Sequence, residues 1–284
     1  MSIKDTDIYA RIDRGEELPQ DADALIDPGK VMEGKITNHG GNMAVNRCKS
    51  GDVLIQIASG AGGLGDPLEL DPRLVLADFR NGRLTLDMCR RVYCVSLDPH
   101  KQVIDYDETE KLREARRKER LVKGKPGREF LAELVQKREK RELPSPTLDF
   151  LDEIKPFSPA FRGQLDTEKG LLSRPLSPLV KVTVKNEIMD LTPYVKIVED
   201  DQGRKIALCS KCNFAYCDAR EDYKLFCLIY ERDPAEVYPA HLAPDKEWAV
   251  YREFYCPGCG AQVEAEQCPP GMTIIQEIRT QELS

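Results

Sequence analysis

Histidine, tryptophan and long apolar runs are scarce in this sequence. Three histidines occur in 284 residues, and none lies at a spacing that indicates a catalytic pair or a metal site. No apolar run approaches the roughly 18 residues that span a bilayer, and the segment Met1–Asp5 has no apolar signal region. The sequence therefore predicts a cytoplasmic protein without a membrane partner, in which ten cysteines stay reduced or bind metal.

A surplus of positive charge is also missing, since the net charge is −7. From Asp190 to Ser284, ten Lys and Arg residues stand against seventeen Asp and Glu residues. A protein that binds nucleic acid needs a basic face to meet the phosphates. The charge distribution therefore argues against nucleic acid as a partner.

Two cysteine pairs carry the chemistry that the sequence indicates. Cys209 and Cys212 form one C-x-x-C pair, and Cys256 and Cys259 form another. Each pair can bind one metal from a single turn, and four thiolates suit tetrahedral zinc at Zn–S distances of about 2.3 Å. The 43 residues between the pairs exceed the ribbon spacing of about 15–20 residues. We therefore predict one structural Zn²⁺, bound by these four cysteines, in a site with a large insertion.

Other interpretations of the cysteines stay open. A redox C-x-x-C normally opens a helix after a strand, whereas Cys256–Cys259 lies between the strand-like segments Val250–Tyr255 and Gln262–Glu266. A disulfide framework is typical of short secreted chains. Cys217 or His241 could replace one of the four ligands. We interpret the remaining cysteines as small buried hydrophobes: Cys48, Cys89, Cys94, Cys217, Cys227 and Cys268.

A series of residue blocks surrounds the cysteine pairs: Arg220–Leu225, Asp233–Pro239, Trp248, Arg252–Gly260 and Pro269–Gly271. In order and spacing these blocks resemble the gamma subunit of acetone carboxylase, over about residues 195–278. The resemblance implies a zinc-binding subunit of an ATP-dependent ketone carboxylase. It also implies that ATP and ketone are activated on other subunits.

A glycine-rich run, Gly60–Gly65, follows the strand-like segment Val53–Ala58 and matches G-x-G-x-x-G. That pattern binds dinucleotides when its glycines lead into a helix of a βαβ unit. Here Pro67 and Pro72 interrupt the expected helix, and no P-loop lysine follows. We interpret the run as a structural turn. The alternative is a stand-alone nucleotide-dependent enzyme.

Further blocks extend from this run towards Arg120: Ser59–Glu69, Asp71–Pro72, Val75, Asp78–Gly82, Arg90–Tyr93 and Thr109–Arg113. They resemble the C-terminal tail of the hydantoinase B/oxoprolinase family, with departures at Ala61 and Leu64. That family supplies a large subunit of acetophenone carboxylase, the aromatic relative of the acetone enzyme. The large body of the family has no counterpart in this sequence, so we assign no catalytic residue.

The remaining patterns predict an α+β protein of three parts. Residues 1–142 combine a small amount of β structure with two charged helices, which carry a net charge of +5 from Glu108 to Glu142. Because the helices have few apolar residues, we predict that they pack on an acidic partner surface; a solvated helix face is the other interpretation. Residues 143–178 contain six prolines and predict an extended linker. Residues 179–284 predict a β-rich zinc-knuckle domain.

These patterns and resemblances predict a zinc-binding gamma-like or accessory, epsilon-like subunit of a ketone carboxylase complex. Such a complex of the acetophenone/acetone type converts ketone and bicarbonate to a β-keto acid. The resemblances imply larger ATP-binding and hydantoinase-like partner subunits, which would hold ATP and a divalent metal. This chain would dock those subunits and would not be catalytic alone. The alternative is a zinc-ribbon interaction module unrelated to carboxylation.

Overall fold

The computed structural model describes residues 2–16, 33–37, 47–54, 65–157, 168, 170–173, 182–237 and 243–274. It contains helices and several antiparallel sheets, which confirms the predicted α+β class. The chain divides into two units, Met1–Gly63 and Leu64–Ser284. None of the helices in these ranges combines the length and apolar character that a membrane span requires.

The first unit contains a small antiparallel sheet and one helix. Strands β1 (Ser2–Lys4), β2 (Lys35–Thr37) and β3 (Val53–Leu54) lie in the order β2-β1-β3, and helix α1 covers Ile8–Asp13. Ile3 on the central strand is buried. The predicted strand-like segment Val53–Ala58 begins with β3, and its positions 55–58 lie outside the described residues.

The second unit begins with helices that start at side-chain caps. Asp71, Thr85 and Asp105 each accept a hydrogen bond from a backbone N–H in the first turn of the helix that follows. A small core contains Val75, Leu76, Cys89, Val95 and Leu97. The elements of this part are α2 (Pro72–Arg80), α3 (Leu86–Arg91), β4 (Ser96–Asp98), β5 (Val103–Asp105) and α4 (Tyr106–Lys123).

Two four-stranded antiparallel sheets form the β-rich part of this unit. The first has the order β10-β9-β8-β7, with β7 at Val184–Thr192, β8 at Val195–Asp200, β9 at Lys205–Cys209 and β10 at Ala215–Asp218. The second has the order β13-β12-β11-β6, with β6 at Lys125–Pro126, β11 at Leu228–Arg232, β12 at Val250–Tyr255 and β13 at Gln262–Cys268. Both sheets contribute to one hydrophobic core, which includes Ile197, Ala207, Ile229 and Phe254.

The charged helices pack on the rest of the chain. Helix α5 (Gly127–Lys140) buries Leu131 and Leu134 in the core that both sheets share. Helix α4 buries Arg113 and Arg120, whose guanidinium groups donate to groups of the chain itself. The few apolar residues of these helices therefore do not by themselves require a partner surface, because arginine stems supply part of their buried face, and the docking of residues 1–142 stays a prediction. The three-part division at residues 142 and 178 stays a prediction.

Part of the predicted linker is helical. Helix α6 covers Ser145–Phe157 and has Pro146 in its first turn, where proline is tolerated because the first N–H groups have no partner within the helix. Thr147 and Leu151 are buried. The extended conformation predicted for residues 143–178 is therefore wrong over Ser145–Phe157. Positions 158–167, 169 and 174–178 lie outside the described residues.

Candidate metal centre

Each cysteine pair lies in the turn of a β-hairpin. Strand β9 ends at Cys209 and β10 begins at Ala215, so the first pair joins two strands of the first sheet. Strand β12 ends at Tyr255 and β13 begins at Gln262, so the second pair joins two strands of the second sheet. The two sheets thus contribute one C-x-x-C turn each.

The two turns have the same backbone hydrogen bonds. The first cysteine of each turn donates its N–H to the carbonyl five residues on, Cys209 to Phe214 and Cys256 to Ala261, both at 2.8 Å. Its carbonyl accepts from the N–H four residues on, at 2.9 Å in both turns. That fourth residue has a positive φ in each case, 60° at Asn213 and 70° at Gly260. Asparagine and glycine are the residues that adopt this region most readily. Both C-x-x-C turns therefore fit one conformation, and we call Cys209–Asn213 the first knuckle and Cys256–Gly260 the second knuckle.

The knuckles bring four sulfur atoms together. Cys209 Sγ and Cys259 Sγ are 3.9 Å apart, Cys212 Sγ and Cys256 Sγ are 3.6 Å apart, and all four sulfurs lie within 4.8 Å of one another. Four ligands at the Zn–S distance of about 2.3 Å would lie about 3.8 Å from each other in a tetrahedron. Cys209 and Cys256 are buried, Cys259 is half-buried and Cys212 is exposed. The donor set and its spacing therefore fit a tetrahedral thiolate metal.

The thiols of the cluster also shift one another's protonation. Hydrogen bonding with Cys256 and Cys259 lowers the pKa of Cys209, and the same bond with Cys209 raises the pKa of Cys256. One thiolate is thus stabilised by thiols that keep their protons. A bound cation would supply the positive charge that lets all four ionise side by side.

The segment after the glycine-rich run contacts both knuckles. Asp66 is buried and forms an ion pair with Arg120 of α4 at 2.8 Å, and it accepts the backbone N–H of Gln262 at 2.9 Å. Arg120 also donates to the carbonyl of Gly260 in the second knuckle, at 3.1 Å. Glu69 forms an ion pair with Lys211 of the first knuckle. The described end of the block Ser59–Glu69, which resembles a family tail, is thus part of the surroundings of the cysteine cluster.

Gly65 has a structural role at the end of the glycine-rich run. Its φ is +83°, and a Cβ there would lie 2.7 Å from the hydroxyl of Tyr194. That hydroxyl accepts the backbone N–H of Asp66 at 2.8 Å. A short 3₁₀ turn, Pro67–Glu69, follows where a dinucleotide site would need a helix. The rest of the run, from Gly60 to Leu64, lies outside the described residues, so the absence of nucleotide binding stays a prediction.

Most of the other cysteines are buried. Cys89, Cys94, Cys217 and Cys227 are enclosed in the cores, as expected for small hydrophobes. Cys268 is half-buried, and burial raises the pKa of its thiol to about 11. Cys48 departs from the prediction because it is exposed. Cys217 does not join the four-cysteine cluster, and His241 lies outside the described residues.

A buried ionic row across the second sheet escaped sequence reasoning. Arg252 of β12 is fully buried and donates to Glu231 of β11 at 2.9 Å, while Lys224 donates to Glu266 of β13 at 2.6 Å. Arg252 and Glu266 face each other across neighbouring strands, 3.8 Å apart. Lys224 and Arg252 belong to blocks that carry the family resemblance, and in the structure both side chains form buried ion pairs at the second sheet. Each of the three strands contributes one member and Lys224 lies in a 3₁₀ turn, so no local sequence pattern marks the row.

Fold and site together define an α+β chain with a paired-knuckle, four-cysteine centre in its β-rich part. Residues 180–282, which contain both knuckles, match the family model described as acetone carboxylase gamma subunit. The match covers the region around the cluster and not the helices that precede it.

Three relatives of this chain are subunits of acetone carboxylase or acetophenone carboxylase. The chain is 42% identical over 76 residues to the acetophenone carboxylase beta subunit of Aromatoleum aromaticum, covering 25% of this chain and 59% of that protein. It is 29% identical over 127 residues to the acetone carboxylase gamma subunit of Xanthobacter autotrophicus, covering 39% of this chain and 76% of the relative. It is 28% identical over 145 residues to the acetophenone carboxylase delta subunit of Aromatoleum aromaticum, covering half of this chain and 21% of that protein. These similarities confirm the predicted resemblance to acetone and acetophenone carboxylase subunits.

Proposed function

We propose that Cys209, Cys212, Cys256 and Cys259 bind one structural Zn²⁺. The tetrahedral spacing of four sulfurs on two turns of the same conformation supports this proposal. Sites with four cysteines and no open position are typical of structural zinc, whereas catalytic zinc keeps a place for water or substrate. Because each sheet contributes one knuckle, the ion would join the two sheets.

Elemental analysis of freshly purified full-length protein tests this proposal. We expect one zinc per chain in the wild type and a loss of zinc in Cys259→Ser. Cys48→Ser is the matched control, since Cys48 is an exposed cysteine outside the cluster, and it should keep the metal. A wild type without zinc, or Cys259→Ser with full zinc, would contradict the proposal.

We further propose that the chain is a gamma-like or accessory, epsilon-like subunit of an ATP-dependent ketone carboxylase complex. The match of residues 180–282 to the gamma-subunit family and the similarity to beta, gamma and delta subunits support this assignment. In this proposal the larger ATP-binding and hydantoinase-like partners bind ATP and a divalent metal, and the complex joins ketone and bicarbonate in the cytoplasm. This chain supplies a metal-braced surface for those partners and no catalytic group.

In this proposal, residues 1–142 bind the partner subunits. Helix α4 keeps a charged outer face on which Lys111 and Lys118 are exposed, and Val122 beside them is 85% exposed. Exposed lysines would steer the helix to an acidic partner surface, an attraction that falls with salt because the Debye length is only about 8 Å at physiological ionic strength.

Co-purification of the full-length chain with ATP-binding and hydantoinase-like carboxylase subunits tests the docking proposal. We expect a stable complex at low salt that weakens at high salt and in a double variant, Lys111→Glu with Lys118→Glu. Lys246→Glu, an exposed charge reversal outside residues 1–142, is the control and should leave the complex intact. Failure to co-purify under any salt condition would contradict the subunit proposal. Binding that ignores both salt and the α4 variant would contradict this docking face.

A further inference from the structure

The β4–β5 hairpin carries an open groove with apolar side chains in its wall. The groove has a volume of about 670 Å³ and is lined by both strands, the turn between them and the first residues of α4. Val103 is 52% exposed and Tyr106 is 58% exposed, and both line this groove. Exposed apolar side chains that share a groove mark interaction sites, whereas single ones are ordinary. A groove with exposed walls suits an extended protein segment, since small molecules bind in sites that enclose most of their surface.

The walls of the groove are held in place before any partner binds. The carboxylate of Asp98 accepts two backbone N–H groups of the hairpin turn, at 2.9 and 3.0 Å. Arg80 of α2 donates to the carbonyl of Gln102 in the same turn, at 2.8 Å. On the other side, the hydroxyl of Thr109, which is buried in α4, accepts the N–H of Ser96 at 3.0 Å. A preformed surface loses little conformational entropy on binding, so this groove suits a docking role.

The charge of the groove selects the chemistry of its partner. Three aspartates line it, Asp98, Asp105 and Asp107, against the single lysine Lys101. The Asp98 and Lys101 side chains are 4.0 Å apart, and Asp107 forms no ion pair with any of the described residues. Negative charge therefore exceeds positive charge beside exposed apolar side chains. This combination complements a segment that contains basic and apolar residues, and a basic side chain can also lie over a tyrosine ring.

The helices around the groove indicate which partner supplies such a segment. The blocks Asp78–Gly82 and Thr109–Arg113 resemble the tail of the hydantoinase B/oxoprolinase family, and they lie at the end of α2 and in α4. Both helices contact the hairpin. In that family the tail is joined to a large body, which has no counterpart in this sequence. The groove thus lies on a tail-like part of the chain whose body would be a separate subunit.

We propose that this groove binds a basic and apolar segment of the hydantoinase-like carboxylase subunit. The inference rests on the subunit proposal above, and it names the partner and the contact. The groove is distinct from the α4 face with Lys111 and Lys118, which would meet an acidic surface. Tyr106 is the expected anchor of the contact, because aromatic side chains that lose water at an interface contribute most of the binding energy.

The test measures the affinity of the full-length chain for the isolated hydantoinase-like subunit, at one fixed salt concentration. Tyr106→Ala should weaken binding about 30-fold, the effect of removing a residue that dominates an interface. Asp107→Lys should also weaken binding, because it removes the excess of negative charge. Lys101→Glu is the matched control, an exposed charge reversal in the same groove. It makes the groove more acidic, so its binding should be as tight as that of the wild type or tighter.

The outcomes separate this inference from the subunit proposal. Wild-type affinity in both Tyr106→Ala and Asp107→Lys overturns the groove and leaves the subunit proposal standing. So does a chain that binds the ATP-binding subunit alone, or a Lys101→Glu variant that weakens binding as much as Asp107→Lys. A chain that binds neither subunit overturns both proposals. If Tyr106→Ala does not fold, Val103→Lys takes its place, since it changes a second exposed side chain of the groove, and unchanged binding then overturns the inference.

Discussion

The two cysteine knuckles have the same backbone conformation but different surroundings. The first knuckle is exposed to solvent at Cys212, and its Lys211 forms an ion pair with Glu69. The second knuckle is enclosed, since a Cβ on Gly260 would lie 2.6 Å from the carbonyl of Arg117 and one on Gly258 would lie 2.9 Å from Cys212 Sγ. The cysteine spacing therefore suits the proposed metal, whereas the glycines of the second knuckle are required by the atoms that surround it.

The largest expected effect distinguishes a buried ligand from an exposed one. Cys256→Ser removes a buried sulfur, and we expect loss of metal and of soluble protein together, because structural zinc contributes on the order of 10 kcal/mol to folding. Cys212→Ser leaves three thiolates and an exposed position that water can fill, so it should keep zinc with reduced affinity. Zinc content per chain and soluble yield measure the difference. Equal losses in both variants would show that enclosure does not matter.

A second contrast concerns the segment that contacts both knuckles. Asp66→Ala leaves Arg120 buried without its carboxylate partner, where both side chains are at most 8% exposed, and we expect a loss of about 3–5 kcal/mol in the free energy of unfolding. Glu69→Ala removes a half-exposed partner of Lys211 and Arg117 and should cost about 0–1 kcal/mol. Urea denaturation of the zinc-loaded proteins measures both. A larger effect at Glu69 than at Asp66 would reverse our ranking of the two contacts.

The smallest expected difference is that between the positive-φ residues of the two turns. Gly260→Ala adds a Cβ against the Arg117 carbonyl at a φ of +70°, and we expect a cost of about 3 kcal/mol from backbone strain and the clash together. Asn213→Ala keeps a φ of 60° and should cost only about 1 kcal/mol. The same denaturation experiment compares them. Equal costs would mean that the second knuckle is free to move away from α4.

Local patterns made part of this structure predictable. Strand β12 begins and ends at the predicted residues, because the alternation of a strand depends on neighbours in sequence. The packing of α4 escaped prediction, since Arg120 finds Asp66 54 residues away and no local signal marks that pair. The prolines of residues 143–178 predict an extended segment, yet helix α6 forms because Pro146 lies in its first turn.

The sequence by itself determined which cysteines form the two pairs of the cluster, because a C-x-x-C turn presents two sulfurs whatever surrounds it. Only the tertiary structure decided that the second pair faces the first, since the partners in the two sulfur contacts are 44 and 50 residues apart in the chain and sit on different sheets. It also decided that Tyr216 and Cys217 both enter the shared core, because a bulge moves a side chain from one face of a strand to the other and the pattern of residues does not record that change.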